Sequence, residues 1–168
     1  MWDNYPYPDF NKVFYESNDA IATISKLTDD VVKNVAPDVK SLYIPHSVNT
    51  DIFKPATAEE DETTKKAIFG ENFDTNKLIF FWNNRNARRK QSGSLIFWFK
   101  EFLDRVGHDK ATLVMHTEVK DPNGQDLEAI IDHLGLTDGQ VLFSQQKVDL
   151  RKLSLMYCIA DCTINIAD

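Results

Sequence analysis

The second half of the chain alternates between short apolar segments and longer segments in which apolar residues recur at helical spacing. The apolar segments are KLIFFW (77–82), ATLVMHT (111–117), VLFS (141–144) and DCTINIA (161–167). KLIFFW shows no polar alternation, which is typical of a strand covered on both faces. Because predicted helices separate these strands, the pattern predicts an α/β fold with a parallel sheet flanked by helices.

The helix predicted at 94–106 carries one apolar stripe, with two aromatic residues beside it. The stripe consists of Leu95, Phe99, Phe102, Leu103 and Val106. This spacing places its members on one helical face. Phe97 and Trp98 lie off the stripe, and we interpret them as a second side of the core. The alternative is a face for another domain or for a membrane surface. Further helices are predicted at 126–134 and after Asp149, which is a suitable cap.

The first half of the chain shows the same alternation more weakly. Residues 20–25 and 40–45 predict two strands, and Thr28 can cap a helix between them. A connector follows, and its acidic segment 59–74 predicts a short helix that ends before Gly70. Two strands are too few for a domain. We therefore expect the tail of one domain, a linker, and the front part of a second domain.

Composition and charge narrow the function classes. The 168 residues are 42% hydrophobic, which argues against disorder, and the net charge of −7 argues against nucleic-acid binding. No apolar run approaches the roughly 20 residues of a membrane span, and the N-terminus lacks the pattern of a signal peptide. Cys158 and Cys162 have no histidine beside them. We interpret them as buried, reduced thiols and expect a cytoplasmic protein.

A cationic turn follows the strand KLIFFW. Four basic residues occupy the six positions from Arg85 to Lys90, and no acidic residue lies between 83 and 100. In open α/β sheets, ligands bind beyond the carboxyl ends of the strands, where the next helix also directs its N-terminus. Arg85 and Lys90 therefore lie where a phosphate would bind. The alternatives are a solvated basic loop, ion pairs with the acidic segment 59–74, and contact with a nucleic-acid backbone.

Three stretches, in order, resemble the retaining nucleotide-sugar glycosyltransferases of the two-domain GT-B fold, specifically the large family four (group 1). SNDAIATISKLTDDVV…SLYIPHSVNTDIFKP resembles the end of that family's N-terminal domain and its linker. FFWNNRNARRKQ resembles its turn with an arginine and, five positions on, a lysine. GLTDGQVLFSQQKVDLRKLSLMYCIADCTINIAD resembles the segment that forms part of the nucleotide pocket. The resemblance covers residues 19–168.

The resemblance implies a partial GT-B architecture with Rossmann-like sheets. Residues 1–55 would be the remnant of the N-terminal, acceptor-side domain with its linker, and residues 56–168 the front part of the C-terminal donor-binding domain. Arg85 and Lys90 would hold the donor diphosphate. Tyr157 and Asp161 fall on positions that are mainly structural. The candidates for the donor and base pocket are Asn84, His116, Ser144 and Gln145.

His116 has a second interpretation, as a hydrogen-bonded structural histidine. The chain also departs from the family pattern, because Asn84 and Gln91 stand where the family has glycines. The family's pair of glutamates would lie beyond Asp168, so the catalytic residues are unknown and we expect the chain alone to be inactive.

The resemblance implies sugar transfer with retention from a nucleotide-diphosphate sugar to an unidentified acceptor, with no metal or other cofactor. A nucleotide-binding module without transferase activity and a GT-B nucleotide-sugar epimerase remain alternatives. Further expectations are peripheral membrane association of the parent enzyme and self-association of the fragment through an unpaired sheet edge.

Overall fold

The computed structural model describes residues 9–166 and divides into two compact units, one ending at Asn49 and the other beginning at Thr50. The sequence-based division at residue 55 therefore falls inside the second unit. There the Ile52 and Lys54 carbonyls accept hydrogen bonds from Arg151, at 3.0 Å each. The assignment of the two units to acceptor-side and donor-side domains stays a prediction.

The first unit pairs two short parallel strands against one helix. A 3-10 turn at Asp9–Asn11 precedes the helices and strands, which are α1 (Lys12–Glu16), β1 (Ala20–Thr23), α2 (Lys26–Val35) and β2 (Lys40–Tyr43). Val31, Val32 and Val35 pack with Tyr15 in a small core. Asp29 is buried at the edge of this core and accepts hydrogen bonds from Lys33 and Ser41.

The predicted cap of α2 was wrong. Ser25, not Thr28, occupies the N-cap position, because its side chain accepts the Thr28 N–H at 3.0 Å. Its hydroxyl also donates to the Thr28 hydroxyl at 2.8 Å. The helix therefore begins at Lys26, and of the two acidic residues predicted in its first turn, Asp29 lies there. Serine and threonine are both suitable caps, so local preference alone could not choose between them.

The second unit is a four-stranded, fully parallel sheet with helices on both faces, as the sequence predicts. Its elements are α3 (Ala58–Phe69), β3 (Leu78–Asn83), a 3-10 turn (Arg88–Lys90), α4 (Ser92–Val106), β4 (Ala111–His116), α5 (Leu127–Leu134), β5 (Val141–Ser144), α6 (Leu150–Cys158) and β6 (Cys162–Thr163). The strand order is β5-β4-β3-β6. The helices α4, α5 and α6 each return the chain from one strand to the next, as parallel pairing requires.

The two faces of this sheet explain why KLIFFW is apolar throughout. On one face, Trp82 packs in a core with Leu95 and Leu103 of α4 and Leu127 of α5. On the other face, Phe81 packs in a separate core with other side chains of the sheet and its covering helices. Successive strand residues point to opposite faces, and both faces are covered here. β3 therefore has no solvent side that would require polar residues.

Several predicted burials were wrong. Phe97 and Trp98 are not a second side of the core, since 48% and 53% of their surface is exposed. Val106, the last member of the predicted stripe, is also exposed because it lies at the end of α4. The cysteines are free but not buried: Cys158 is partly exposed and Cys162 is exposed.

The last strand is also shorter than the sequence predicts. β6 comprises only Cys162–Thr163, whereas the predicted strand spans 161–167, and Ala167 lies outside the described residues. Over residues 9–166, no helix combines the length and apolar character needed to cross a bilayer.

An ion pair joins α3 to α6 within the second unit. Arg151 donates to both carboxylate oxygens of Glu60 at 2.8 Å, and Glu60 also accepts the Thr57 N–H in a capping box. These hydrogen bonds to the charged form lower the pKa of Glu60 to about 2, Arg151 being the larger cause. A carboxyl group whose pKa is lowered in the folded state stabilises that state while it is ionised.

We expect this ion pair to make folding stability depend on acid pH. The difference in free energy of unfolding between the wild type and Glu60→Gln should be fully present above about pH 5. It should shrink as the pH falls through the ordinary pKa of 4.5 toward about 2. Urea unfolding at a series of pH values measures it, and Arg151→Met is the control background, in which the pH-dependent part should be largely lost. A difference that stays constant down to pH 2 would contradict the assignment.

Candidate functional site

Three strands of the second unit end level with one another at the carboxyl edge of the sheet. In the pairing register, Asn83 lies beside His116, and His116 lies beside Ser144. The His116 Nδ1 and the Ser144 hydroxyl are 2.9 Å apart. The loops that follow these strands therefore leave from a common edge, which is where ligands bind in open α/β sheets.

The cationic turn, residues 84–91, is ordered by its own backbone hydrogen bonds. The Ala87 N–H donates to the Arg85 carbonyl at 2.8 Å, and the Lys90 N–H donates to the Ala87 carbonyl at the same distance. A 3-10 turn at Arg88–Lys90 then leads into α4, which begins at Ser92. The basic side chains are therefore presented on a folded turn.

Asn86 ties this turn to the loop after β4, residues 117–126. It is fully buried, and its amide group donates to the Val119 and Gln125 carbonyls at 3.3 and 2.7 Å. Its side-chain oxygen accepts the Ser92 hydroxyl at 2.7 Å and the Gln125 N–H at 3.2 Å. An asparagine amide has two donor hydrogens and an oxygen that can accept two hydrogen bonds. One side chain thus uses this whole capacity to hold two loops together.

Two glycines allow the close approach of these segments. A Cβ atom at Gly124 would lie 2.2 Å from the Asn86 carbonyl oxygen, which no side chain permits. A Cβ atom at Gly93 would lie 2.6 Å from Oε1 of Gln125, which instead accepts the Gly93 N–H at 2.8 Å. The Arg88 N–H adds a hydrogen bond to the Asn123 carbonyl at 3.1 Å. Asn86, Gly93, Gly124 and Gln125 form what we call the loop junction.

Arg85 forms a two-point ion pair with Asp121 in the loop after β4. Its Nε donates to Oδ2 at 2.6 Å and its Nη2 donates to Oδ1 at 3.1 Å. Hydrogen bonds from the Arg85 guanidinium and, to a smaller extent, from the Asn123 N–H lower the pKa of Asp121 below its ordinary value. The same carboxylate raises the pKa of Arg85 above its ordinary value. The alternative that the turn pairs with the acidic segment 59–74 was therefore wrong for Arg85.

The other cations of the turn are not paired in this way. Across residues 9–166, Arg88, Arg89 and Lys90 form no salt bridge with a carboxylate. Arg88 and Arg89 are exposed and, with Pro122 and Asn123, line a cleft of about 440 Å³. Lys90 is half-buried. The turn thus keeps positive charge that no carboxylate of the described part of the chain neutralises.

The predicted base-pocket residues are only partly brought together. Ser144 and Gln145 line a groove of about 440 Å³, together with residues of α3 and of β5. Asn84 and His116 do not line it. Asn84 is half-buried on the cationic turn, while His116 contacts the groove only through its hydrogen bond to Ser144. His116 is therefore a hydrogen-bonded histidine that lies beside the groove.

Two further residues from the sequence analysis have roles within the sheet. The Tyr157 hydroxyl accepts a hydrogen bond from Nδ2 of Asn83 at 3.1 Å, and its ring packs edge-on against Phe81. Asp161 accepts the Ile79 N–H at 2.7 Å, which extends the pairing of β3.

Over the described residues, no cluster of three or more His, Cys, Asp or Glu side chains is arranged to hold a metal ion.

Gln91 adopts a backbone conformation that favours glycine. Its φ is +50°, in the left-handed region, and among the described residues it is the one non-glycine with positive φ. This is a position at which the resembled family pattern has glycine. The chain departs from that pattern in residue type, but its backbone here has a conformation that glycine adopts readily.

Sequence reasoning missed Asn86 and Asp121. The run Asp121-Pro-Asn-Gly is a typical turn signal, and the Gly124 N–H indeed donates to the Asp121 carbonyl at 2.9 Å. That signal predicts the turn but not its partner. Asn86 carries no local signal, because its partners Val119 and Gln125 lie more than 30 residues away.

Comparison with solved structures finds the same fold in glycosyltransferases. A glycosyltransferase from Rickettsia africae ESF-5 aligns over 95% of this chain, with a TM-score of 0.68 and 20% identity. The C-terminal domain of a glycosyl transferase group 1 family protein (LpcC) from Francisella tularensis aligns over 70%, with 0.52 and 23%. The catalytic domain of starch synthase IV from Arabidopsis thaliana, bound to ADP and acarbose, aligns over 90%, with 0.58 and 13%.

The chain shares the α/β fold of GT-B glycosyltransferases. It spans 42% of the Rickettsia protein, 57% of the Francisella domain and 35% of the starch synthase chain. No protein-family model matches the sequence, and a comparison with curated protein sequences finds no match. The predicted fold is therefore confirmed.

We expect Asn86→Asp to destabilise the second unit. The substitution removes the donor group that satisfies the Val119 and Gln125 carbonyls, and it places a carboxylate at a fully buried position. Each buried group left unsatisfied costs about 1–3 kcal/mol, so we expect a loss of roughly 2–5 kcal/mol in urea unfolding. Asn84→Asp makes the same chemical change on the same turn, where burial is only partial. If the two variants lost equal free energy of unfolding, the buried hydrogen bonds of Asn86 would not hold the loop junction together.

The conformation of Gln91 gives a second stability prediction. Gln91→Gly should be the better tolerated of two substitutions at this position, because glycine adopts positive φ without steric cost. Gln91→Val should unfold at a lower temperature than Gln91→Gly. The expected difference is about 1–2 kcal/mol, because a left-handed conformation crowds Cβ against the backbone. Thermal unfolding of the two variants measures it, and the reverse order would show that residue 91 does not hold this conformation in solution.

Proposed function

We propose that this chain is the donor-binding part of a glycosyltransferase that moves a sugar from a nucleotide-diphosphate sugar to an acceptor with retention. One observation carries the proposal. A folded cationic turn, in which Lys90, Arg88 and Arg89 lack carboxylate partners in the described chain, stands at the carboxyl edge of the sheet of a GT-B fold. The starch synthase structure of the same fold contains ADP, which supports a diphosphate ligand.

The chemistry gives these cations a specific task. When the sugar leaves its donor, negative charge grows on the diphosphate. Cations fixed near the leaving oxygens stabilise that charge more in the transition state than in the ground state. Lys90 would act as a compact point charge, and Arg85 would contact two oxygens through its planar guanidinium. We propose no metal or other cofactor for this step.

The groove beside β5 would receive the nucleoside end of the donor. Ser144 and Gln145 line it, and a hydroxyl and an amide are suitable partners for the edge of a base. His116 holds the Ser144 hydroxyl, so its contribution would be to orient that group. Asn84, on the cationic turn, would lie between the two parts of the site. The acceptor is unidentified.

The proposed contacts set the expected affinity. A charge-assisted hydrogen bond contributes about 1.5–3 kcal/mol. Two such contacts, from Arg85 and Lys90, would contribute roughly 3–6 kcal/mol, near the roughly 4 kcal/mol of a millimolar complex. We therefore propose weak donor binding by the chain alone, without sugar transfer.

Ligand-observed NMR with UDP, GDP, ADP and their sugar conjugates tests the proposal. We expect binding with a preference for one base, weakened about tenfold or more by Lys90→Ala. Lys77→Ala is the matched control, because Lys77 is also half-buried but precedes β3 at the opposite edge of the sheet. The control removes the same charge, so it should bind like the wild type.

Other outcomes would contradict parts of the proposal. Equal weakening by Lys77→Ala and Lys90→Ala would mean that overall charge, and not the turn, attracts the nucleotide. If nucleosides without a diphosphate bound equally well, the cations of the turn would not be part of the binding site. Sugar transfer by the chain in the presence of simple acceptors would overturn the restriction to donor binding.

A further inference from the structure

We propose that Asp121 is a positioning residue that holds the Arg85 guanidinium ready for the donor diphosphate. The inference rests on the proposed function, which assigns Arg85 to the diphosphate. Neither the turn pattern around Arg85 nor the resemblance to known enzymes assigns a role to Asp121. The geometry of the pair carries the inference.

The two partners differ sharply in exposure. Asp121 has 4% of its side-chain surface exposed, whereas Arg85 has 66%. A hydrogen bond from the backbone also holds Asp121 in place, because its carboxylate accepts the Asn123 N–H at 2.8 Å. The carboxylate is therefore the anchored partner, and the guanidinium is the partner that remains available to a ligand.

The ion pair leaves one edge of the guanidinium unused. Arginine has five N–H donors in one plane. Asp121 takes one from Nε and one from Nη2, and no other acceptor in residues 9–166 bonds to Arg85. The remaining donors include a parallel pair, one on Nη1 and one on Nη2. Such a pair matches two oxygens of a phosphate group.

Asp121 reduces the conformational cost of binding a phosphate through this edge. A free arginine side chain samples many rotamers, and it loses that freedom when a ligand orders it. Here the ion pair has already ordered the side chain. Arg88 and Arg89, on the same turn, have no carboxylate anchor in the described chain. Arg85 is thus the arginine of the turn whose direction is set before a ligand arrives.

The loop junction fixes the register between the two partners. Arg85 precedes Asn86 on the cationic turn, and Asp121 begins the turn that ends at Gly124. Gly124 packs directly against the Asn86 carbonyl. The distance between the segments that carry the ion pair therefore depends on buried contacts and not on the pair itself.

The opposite role for Asp121 makes a distinguishable prediction. If its carboxylate mainly neutralised Arg85, it would repel the diphosphate, and its removal would tighten binding. The positioning role predicts the reverse. A phosphate on the unused edge is closer to the guanidinium than to the carboxylate behind it, so attraction exceeds repulsion.

Titration of Asp121→Asn with ADP, UDP, GDP and inorganic pyrophosphate decides between these roles. We expect binding of each diphosphate to weaken by about five- to twentyfold, and to a similar extent for every base. In the Arg85→Ala background, Asp121→Asn should cause no further loss, because Asp121 acts through Arg85. Asp121→Glu, which keeps the carboxylate, should restore part of the affinity.

An independent NMR measurement covers the case in which Asp121→Asn fails to fold. In the wild-type chain, the Arg85 Nε–H should be rigid and protected from exchange, while those of Arg88 and Arg89 should be mobile. Equal mobility of the three would overturn the inference. So would unchanged or tighter diphosphate binding by folded Asp121→Asn, with the proposed function intact. Absence of diphosphate binding by the wild type overturns the proposed function and this inference with it.

Discussion

The buried amide of Asn86 is the interaction on which the candidate site depends. A basic turn with a net positive charge has no apolar residues with which to pack, so charge repulsion and chain entropy favour an open loop. Four hydrogen bonds from one fully buried side chain oppose that tendency. Their loss would leave polar groups unsatisfied inside the protein, which is more costly than the gain from each bond. The fold of the turn therefore depends on contacts that carry no charge.

This arrangement separates structural from electrostatic roles. The loop junction holds the backbone of the turn, so the cations need not form ion pairs to keep it folded. Lys90 can thus remain unpaired in the described chain, and Arg85 can be anchored by Asp121 without contributing its whole guanidinium. A site for an anion requires such surplus charge, because a cation fully engaged by carboxylates offers little to a ligand. The positive charge of this turn stands out because the net charge of the whole chain is −7.

The sequence predicts the fold well and the site only in outline. The apolar period and the glycines after helices locate every helix and strand of the second unit, because these signals are local. The burial of Phe97 and Trp98 was predicted wrongly, since a helical pattern does not say which faces another element covers. Asn86 and Asp121 escaped prediction for a related reason. Their roles depend on contacts with residues more than 30 positions away, and no local pattern encodes those contacts.

At residue 91 the backbone conformation agrees with the glycine of the resembled family pattern, although the residue itself is glutamine. The family pattern that the chain resembles has glycine there, and the chain keeps the left-handed conformation with a side chain present. Gln91 is the single residue between the 3-10 turn and α4, and its backbone is left-handed. The chain therefore keeps this conformation although glutamine adopts it less readily than glycine. Lys90 lies one position before Gln91 and two before the first residue of α4, so it stands next to a helix N-terminus, which itself favours anions.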